Sequence, residues 1–195
     1  MIRFSDIFFS IIGLIVLFPF FVILAIAIVF ESKGGVFYLQ KRVGKNGKDF
    51  KLFKFRSMTF GADKQGLLTV GENDSRITKV GRIIRKYKLD EFAQLINVLK
   101  GDMSLVGPRP EVRKYVELYS VKQKKVLSIK PGITDYASIE FSNENELLKN
   151  VDNPEEFYIK EIMPKKIDLN FKFINNKSIV QYFKIILKTF LKIVK

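Results

Sequence analysis

Two adjacent carboxylates, Asp90 and Glu91, stand just before an apolar run, and the same stretch ends in Pro108-Arg109-Pro110. A carboxylate is already ionised at neutral pH, so it can attack phosphorus without a neighbouring base. A second carboxylate beside it is a hard oxygen donor of the kind Mg²⁺ prefers. Prolines on both sides of Arg109 restrict its backbone and hold the guanidinium in one place, and arginine suits bidentate phosphate recognition. Arg85 lies a little more than one helical turn before Asp90, and Arg56 sits in Lys54-Phe55-Arg56-Ser57-Met58. These residue types supply what phosphoryl transfer needs: an attacking carboxylate, a carboxylate to hold metal, and cations for developing charge. Each also has a plainer reading. Asp90 is a good helix N-cap, Glu91 suits a first helical turn, and Asp102 suits a turn. Arg109 between two prolines is the hardest to explain that way.

The 195 residues contain neither cysteine nor histidine. That removes disulfides, thiolate nucleophiles, Ser-His-Asp triads, imidazole bases and ordinary zinc sites. The formal charge of +14 points to nucleic acid, anionic lipid headgroups or phosphorylated substrates as partners. The chain has no DNA-binding motif and little alternation of aromatic with basic residues, which argues against nucleic acid. No internal repeat or low-complexity linker divides it.

Other elements must position these groups. Residues 7–30 are apolar and uncharged, long enough as a helix to cross about 30 Å of hydrocarbon. The run is too long for a signal peptide and lacks a small-residue cleavage site. Pro19 in its middle predicts a kink. The residues leave two arrangements open: a kinked helix that spans, or one that dips in and returns. Lys and Arg crowd the chain after Phe30, which places the larger part in the cytoplasm either way.

Residues 36–43 and 49–55 read as strands of a hairpin around Asn46-Gly47, a pair that tolerates positive φ. Residues 60–75 read as a loop. Thr78 predicts a capped helix to about Tyr87, and a second helix starts near Asp90 and stops at Gly101. A third spans 111–128. Pro154 is expected to open a helical turn and Pro164 to end one. The last segment, 178–195, is an amphipathic helix with Lys184, Lys188 and Lys192 on one face. It can pack on the body or lie in the headgroup layer.

Leu89-Asp90-Glu91, Gln94-Leu95, the run from Asn97 to Ser104, and Gly107 to Pro110 together resemble the bacterial sugar transferase family, the small monotopic polyprenyl-phosphate phosphoglycosyl transferases. Lys54 to Met58 and Lys130 to Thr134 are similar to two further family motifs. The resemblance covers essentially the whole chain. It implies an α+β, mostly helical fold: a re-entrant membrane helix over 1–32 broken at Pro19, and a membrane-associated catalytic domain over 33–195 with amphipathic helices at the surface. It implies transfer of a phospho-sugar from a UDP-sugar to undecaprenyl phosphate, with Asp90 as nucleophile and Glu91 as Mg²⁺ ligand. Arg56, Arg85 and Arg109 would contact phosphates or nucleotide. The implied setting is the cytoplasmic face of a bacterial inner membrane, among membrane lipids, without nucleic acid; a homo-oligomer is compatible with it. The chain departs from the family pattern at Phe18, where many members carry Ser or Thr, and from Asp135 onward, where a family arginine is absent. Two rivals are a membrane-tethered basic binding protein and an inactive scaffold.

Overall fold

The computed structural model describes residues 1–62 and 74–194. Most of the loop expected over 60–75 therefore lies outside the described residues. The chain opens with one long helix, α1 (Ile2–Glu31); it continues through Pro19, so the break expected there does not form. Thirty residues at about 1.5 Å each give a length near 45 Å. Its outward faces carry exposed Phe8, Ile15, Val16, Phe18, Ile23 and Ile26.

Both ends of α1 are tied to the same body. Near the start, Arg3 donates to the carbonyls of Val98 (2.6 Å) and Leu99 (3.0 Å). Asp6 is buried, and its Oδ1 accepts from Ser104 Oγ, the Leu105 amide and Tyr182 Oη at 2.8–2.9 Å. At mid-helix, a Cβ on Gly13 would come within 3.1 Å of Leu95. Toward the far end, Leu24 and Ile28 pack with Phe55, Ile84 and Ala93. A polar residue such as Asp6 in so apolar a helix is tolerated because three donors satisfy it.

The hairpin forms as expected. Strand β1 (Phe37–Val43) pairs antiparallel with β2 (Asp49–Phe55), and Asn46 (φ 57°) and Gly47 (φ 74°) take the left-handed turn positions. Helix α2 (Lys79–Lys86) starts at Thr78, whose Oγ1 accepts from the Gly81 amide at 2.9 Å. Glu31, the last residue of α1, accepts from the Lys79 and Val80 amides, so the start of α2 is fixed to the end of α1.

The second expected helix is two elements. Residues Leu89–Gln94 form a tighter 3₁₀ stretch, and α3 (Leu95–Lys100) follows, ending at Gly101 (φ 90°) as the glycine predicts. Asp90 is not an N-cap. The chain turns into this stretch at Lys88, a non-glycine residue at φ 53°, and the Asp90 side chain is left free for other contacts. The expected helix over 111–128 is also divided, into α4 (Arg113–Glu117), α5 (Val121–Lys124) and a 3₁₀ turn over Lys125–Ser128. Ser120 restarts it with a reciprocal capping box to Gln123, a signal that competes locally with helix continuation.

Strand β3 (Ser104–Val106) runs parallel to β4 (Gly132–Thr134). Short helices α6 (Tyr136–Glu140), α7 (Glu144–Lys149) and α8 (Pro154–Phe157) follow. Pro154 opens α8 as expected. Pro164 does not end a helix. It lies in the first turn of α9 (Met163–Asn175), after a wider π turn over Tyr158–Ile162. The residues before it are already helical, and the wider π turn changes the local hydrogen-bond pattern where proline has no amide to donate.

The last helix, α10 (Ile179–Val194), buries Tyr182 and Ile185 against Val106 and Phe173 and leaves Phe183, Leu187, Phe190 and Leu191 exposed. Phe183 meets Phe9 of α1 edge-on at 5.9 Å. The outward apolar faces of α1 and α10 are thus adjacent.

Candidate active site

Asp90 and Glu91 lie on the 3₁₀ stretch between α2 and α3, which is wedged against β2. Asn97, fully buried, fixes that wedge: its Oδ1 accepts from the Phe53 amide (2.9 Å) and its Nδ2 donates to the Lys51 carbonyl (2.8 Å). This lateral bond to β2 brings Lys54, farther along the strand, opposite the dyad. Lys54 Nζ sits 3.7 Å from Asp90 Oδ2. Glu91 holds Arg109 in a bidentate pair, Nη1 to Oε2 at 3.0 Å and Nη2 to Oε1 at 2.5 Å.

The two neighbours are therefore paired with different cations, and their proton affinities diverge. Burial pushes the Asp90 carboxyl above its ordinary range, against the pull of Lys54. Burial acts on Glu91 in the same direction, but the charge and hydrogen bonds of Arg109 outweigh it and bring Glu91 down to about 2. Lys54 is lowered by burial, with Asp90 opposing, and Arg109 is raised, chiefly by Glu91. Divergent proton affinities in adjacent carboxyls are a common sign of divided roles.

The Pro-Arg-Pro turn is fixed by the segment 130–135. Gly107 N donates to Thr134 O, and Gly132 N donates to Pro108 O, both at 3.0 Å. The two backbones touch directly: a Cβ on Gly132 would lie 2.1 Å from Gly107 N, and one on Gly107 would lie 2.5 Å from Lys130 O. Both glycines are required by this approach. The similarity at Gly107-Pro-Arg-Pro110 and at Lys130 to Thr134 thus has one physical basis, since each segment is the other's template.

Of the remaining expected residues, Arg85 donates from Nε to Ser57 Oγ at 3.0 Å; burial lowers its pKa while Asp90 and Asp74 oppose that shift. It faces the dyad side. Arg56 does not fit the expected phosphate contact. It is 7% exposed, and its guanidinium donates to the carbonyls of Ser32 and Lys33 at 2.7 Å and of Ile28 at 3.4 Å. It caps the C-terminal end of α1, where unpaired carbonyls and the helix dipole favour a cation. Gly34, at φ 124°, leaves the space that Arg56 Nη1 fills.

Two residues of the site were not among the expected ones. Lys54 reads in sequence as one of several strand lysines. Its place between Phe53 and Phe55 suits a half-buried lysine but does not name Asp90 as its partner. Asp135 is fully buried and accepts from the Arg109 amide. Its signal is the capping position before Tyr136, with Ser138 three residues on.

The model of one family, described as bacterial sugar transferase, matches residues 1–195. The chain belongs to the bacterial sugar transferase family. Among its relatives, a putative undecaprenyl-phosphate N-acetylgalactosaminyl 1-phosphate transferase of Bacillus subtilis (strain 168) is 46% identical over 117 residues, 60% of this chain and 65% of that protein. The galactosyl transferase CpsE of Streptococcus agalactiae is 39% identical over 203 residues, 98% of this chain and 41% of its own length. A UDP-glucose:undecaprenyl-phosphate glucose-1-phosphate transferase of Klebsiella pneumoniae is 39% identical over 88% of this chain, which spans 38% of that protein. The chain spans less than two thirds of the length of each of these relatives. As a family member it carries both the dyad and the Pro-Arg-Pro turn, on elements that face one another.

Proposed function

We propose that this protein is a phosphoglycosyl transferase that moves a phospho-sugar from a UDP-sugar to undecaprenyl phosphate through a covalent intermediate on Asp90, initiating assembly of an envelope glycan. The observation that carries this reading is the half-buried Asp90-Glu91 dyad between two fixed cations, in a chain matched to the family from end to end.

In this reading an Asp90 oxygen attacks the sugar-bearing phosphorus. The new O–P bond forms as the bond to the UMP oxygen breaks, and UMP leaves. An oxygen of undecaprenyl phosphate then attacks the same phosphorus and releases Asp90, giving the lipid diphosphate sugar. Lys54 holds Asp90 in place and offsets its charge until the carboxylate is consumed. Arg109, and Arg85 on the other flank, take up phosphate charge. Glu91 keeps Arg109 aimed at the dyad.

In this reading Glu91 is the carboxylate offered to Mg²⁺. Among the described residues no group of three acidic side chains could cage an ion. Mg²⁺ commonly takes only one or two carboxylates and completes its shell with water and substrate phosphates. Glu91 would hold it, and it would supply charge neutralisation for the diphosphate. Both Glu91 oxygens are engaged by Arg109, so guanidinium and metal compete for one carboxylate.

The same reading places α1 in the cytoplasmic membrane. The ties of α1 to one small body near both of its ends weigh against a crossing, while the turn at Pro19 that a re-entrant arrangement needs is not formed, since α1 continues through that residue as one helix. The exposed apolar face of α10, beside that of α1, would lie along the lipid surface, with the catalytic domain in the cytoplasm.

Two measurements test this. Purified protein in nanodiscs, given undecaprenyl phosphate and a panel of UDP-sugars, is expected to release UMP with at least one donor and to stop when divalent metal is chelated. Silence across the panel would overturn the reading, and release that persists in chelator would remove the metal from it. Lys54→Met should raise the Asp90 proton affinity further, because Lys54 lowers it. Activity requires ionised Asp90, so the acid limb of kcat/KM should move to higher pH and the plateau should fall. An unmoved acid limb would separate Lys54 from Asp90.

A further inference from the structure

We infer that Asp135 is a positioning residue for Arg109, acting through the only main-chain donor in the Pro-Arg-Pro triplet. The inference rests on the transferase reading for its consequence in rate, but its geometry stands independently. Proline has no N–H, so in Pro108-Arg109-Pro110 only Arg109 offers one. That N–H donates to Asp135 Oδ2 at 3.1 Å. The other oxygen, Oδ1, accepts from Ser138 N at 2.5 Å and caps α6. The carboxylate is fully buried, and both its oxygens bond backbone amides of two different segments.

Every other bond that laces 104–109 to 131–135 is backbone to backbone: Ser104 to Pro131, Gly107 to Thr134 and Gly132 to Pro108. Asp135 supplies the single side-chain bond, and it falls on the residue whose guanidinium meets Glu91. On the far side of the triplet, Arg42 Nη1 donates to Pro110 O at 3.1 Å. Arg109 is thus gripped before and after its Cα, and its side chain leaves a backbone with little freedom to swing. The buried negative charge of Asp135 also favours the guanidinium electrostatically. A merely structural N-cap would need only one of the two oxygens. The second is what makes Asp135 part of the site.

Asparagine at 135 can keep the α6 cap or accept from Arg109, but its amide has one oxygen and cannot do both. Serine can cap but does not reach the Arg109 amide. Two readouts test the inference in the full-length protein. The first is amide hydrogen exchange in a peptide spanning 105–111. The Arg109 amide is expected to exchange at least about tenfold faster in Asp135→Ser than in the wild type, and unchanged exchange in that variant would overturn the inference whether or not the protein releases UMP. The second is a double-mutant cycle on UMP release. Asp135→Ser should lower kcat/KM about 10- to 100-fold in the wild-type background and by less than about threefold when Arg109 is already alanine. Equal losses in both backgrounds would make Asp135 a general stabiliser and overturn the positioning role. Absence of UMP from every variant would instead count against the transferase reading, with the exchange result still deciding Asp135.

Discussion

Replacing Asp90 with Asn is expected to lower UMP release by at least about a thousandfold and to leave the fold intact. Asn has the same shape but its amide cannot attack phosphorus. The fold should tolerate the change because burial already works against the Asp90 charge. A carboxyl whose proton affinity is raised in the folded state weakens folding at pH values above its unfolded pKa, where the unfolded chain is free to ionise it. Removing that charge therefore relieves a cost, offset in part by the loss of the partner of Lys54. The thermal midpoint at neutral pH should stay level or rise while activity disappears. A variant that loses activity only in proportion to a lowered midpoint would mean that Asp90 serves the fold.

Arg109→Ala is expected to fail in the opposite way, losing both activity and stability. With Arg109 gone, Glu91 is left half-buried and without its bidentate partner next to Asp90. Removing one partner from such a pair costs about 3–5 kcal/mol when burial is complete. Here the Arg109 and Glu91 side chains retain 31% and 24% of their exposure, so a loss of about 1–3 kcal/mol is the better expectation. The pH dependence identifies the cause. Glu91 is held down to about 2 in the fold, so the pair stabilises the protein above the unfolded glutamate value near pH 4.5 and loses that contribution as the pH falls toward 2. The gap between wild type and Arg109→Ala should be widest near neutrality and should close across that acid window. A gap that is constant with pH would mean the loss is packing alone. Activity should fall about 10²- to 10³-fold, as for loss of one preorganised charge donor. Arg109→Lys should recover little, because an ammonium cannot grip both Glu91 oxygens at once.

Where a local signal decides the backbone, the sequence is a sufficient guide. Asn46-Gly47 sets the hairpin, Thr78 opens α2, Gly101 closes α3, and the amphipathic pattern after Ser178 becomes α10. Misreadings arise where two local signals compete. The run 111–128 has helical periodicity, but Ser120 and Gln123 restart the backbone within it. Asp90 looks like a cap, yet the turn at Lys88 places it one step inside a 3₁₀ stretch. Pro164 looks like a terminator, but a π turn delivers it to the first turn of α9.

The site was legible in its carboxylates and in Arg109, because a proline on each side stiffens the backbone just where a charged side chain must be aimed. It was not legible where tertiary packing chooses the partner. Nothing in Lys54-Phe55-Arg56 says which cation faces the dyad. The Asn97 bridge brings Lys54 to Asp90, whereas Arg56, just past the end of β2, turns to the carbonyls that end α1. Asp135 is separated from Arg109 by 26 positions and becomes its partner only once β3 and β4 pair. Asp6 is similar: an acidic residue at the start of an apolar helix gains its meaning from Ser104 and Tyr182, far along the chain.

The most direct test is mass spectrometry of protein quenched within its first turnover on a UDP-sugar that releases UMP, with undecaprenyl phosphate withheld. The expected result is the mass of one phospho-sugar on the peptide that contains Asp90, lost when undecaprenyl phosphate is added and never formed by Asp90→Asn. UMP release with no such mass, or with the mass on another residue, would contradict a covalent bond between Asp90 and phosphorus.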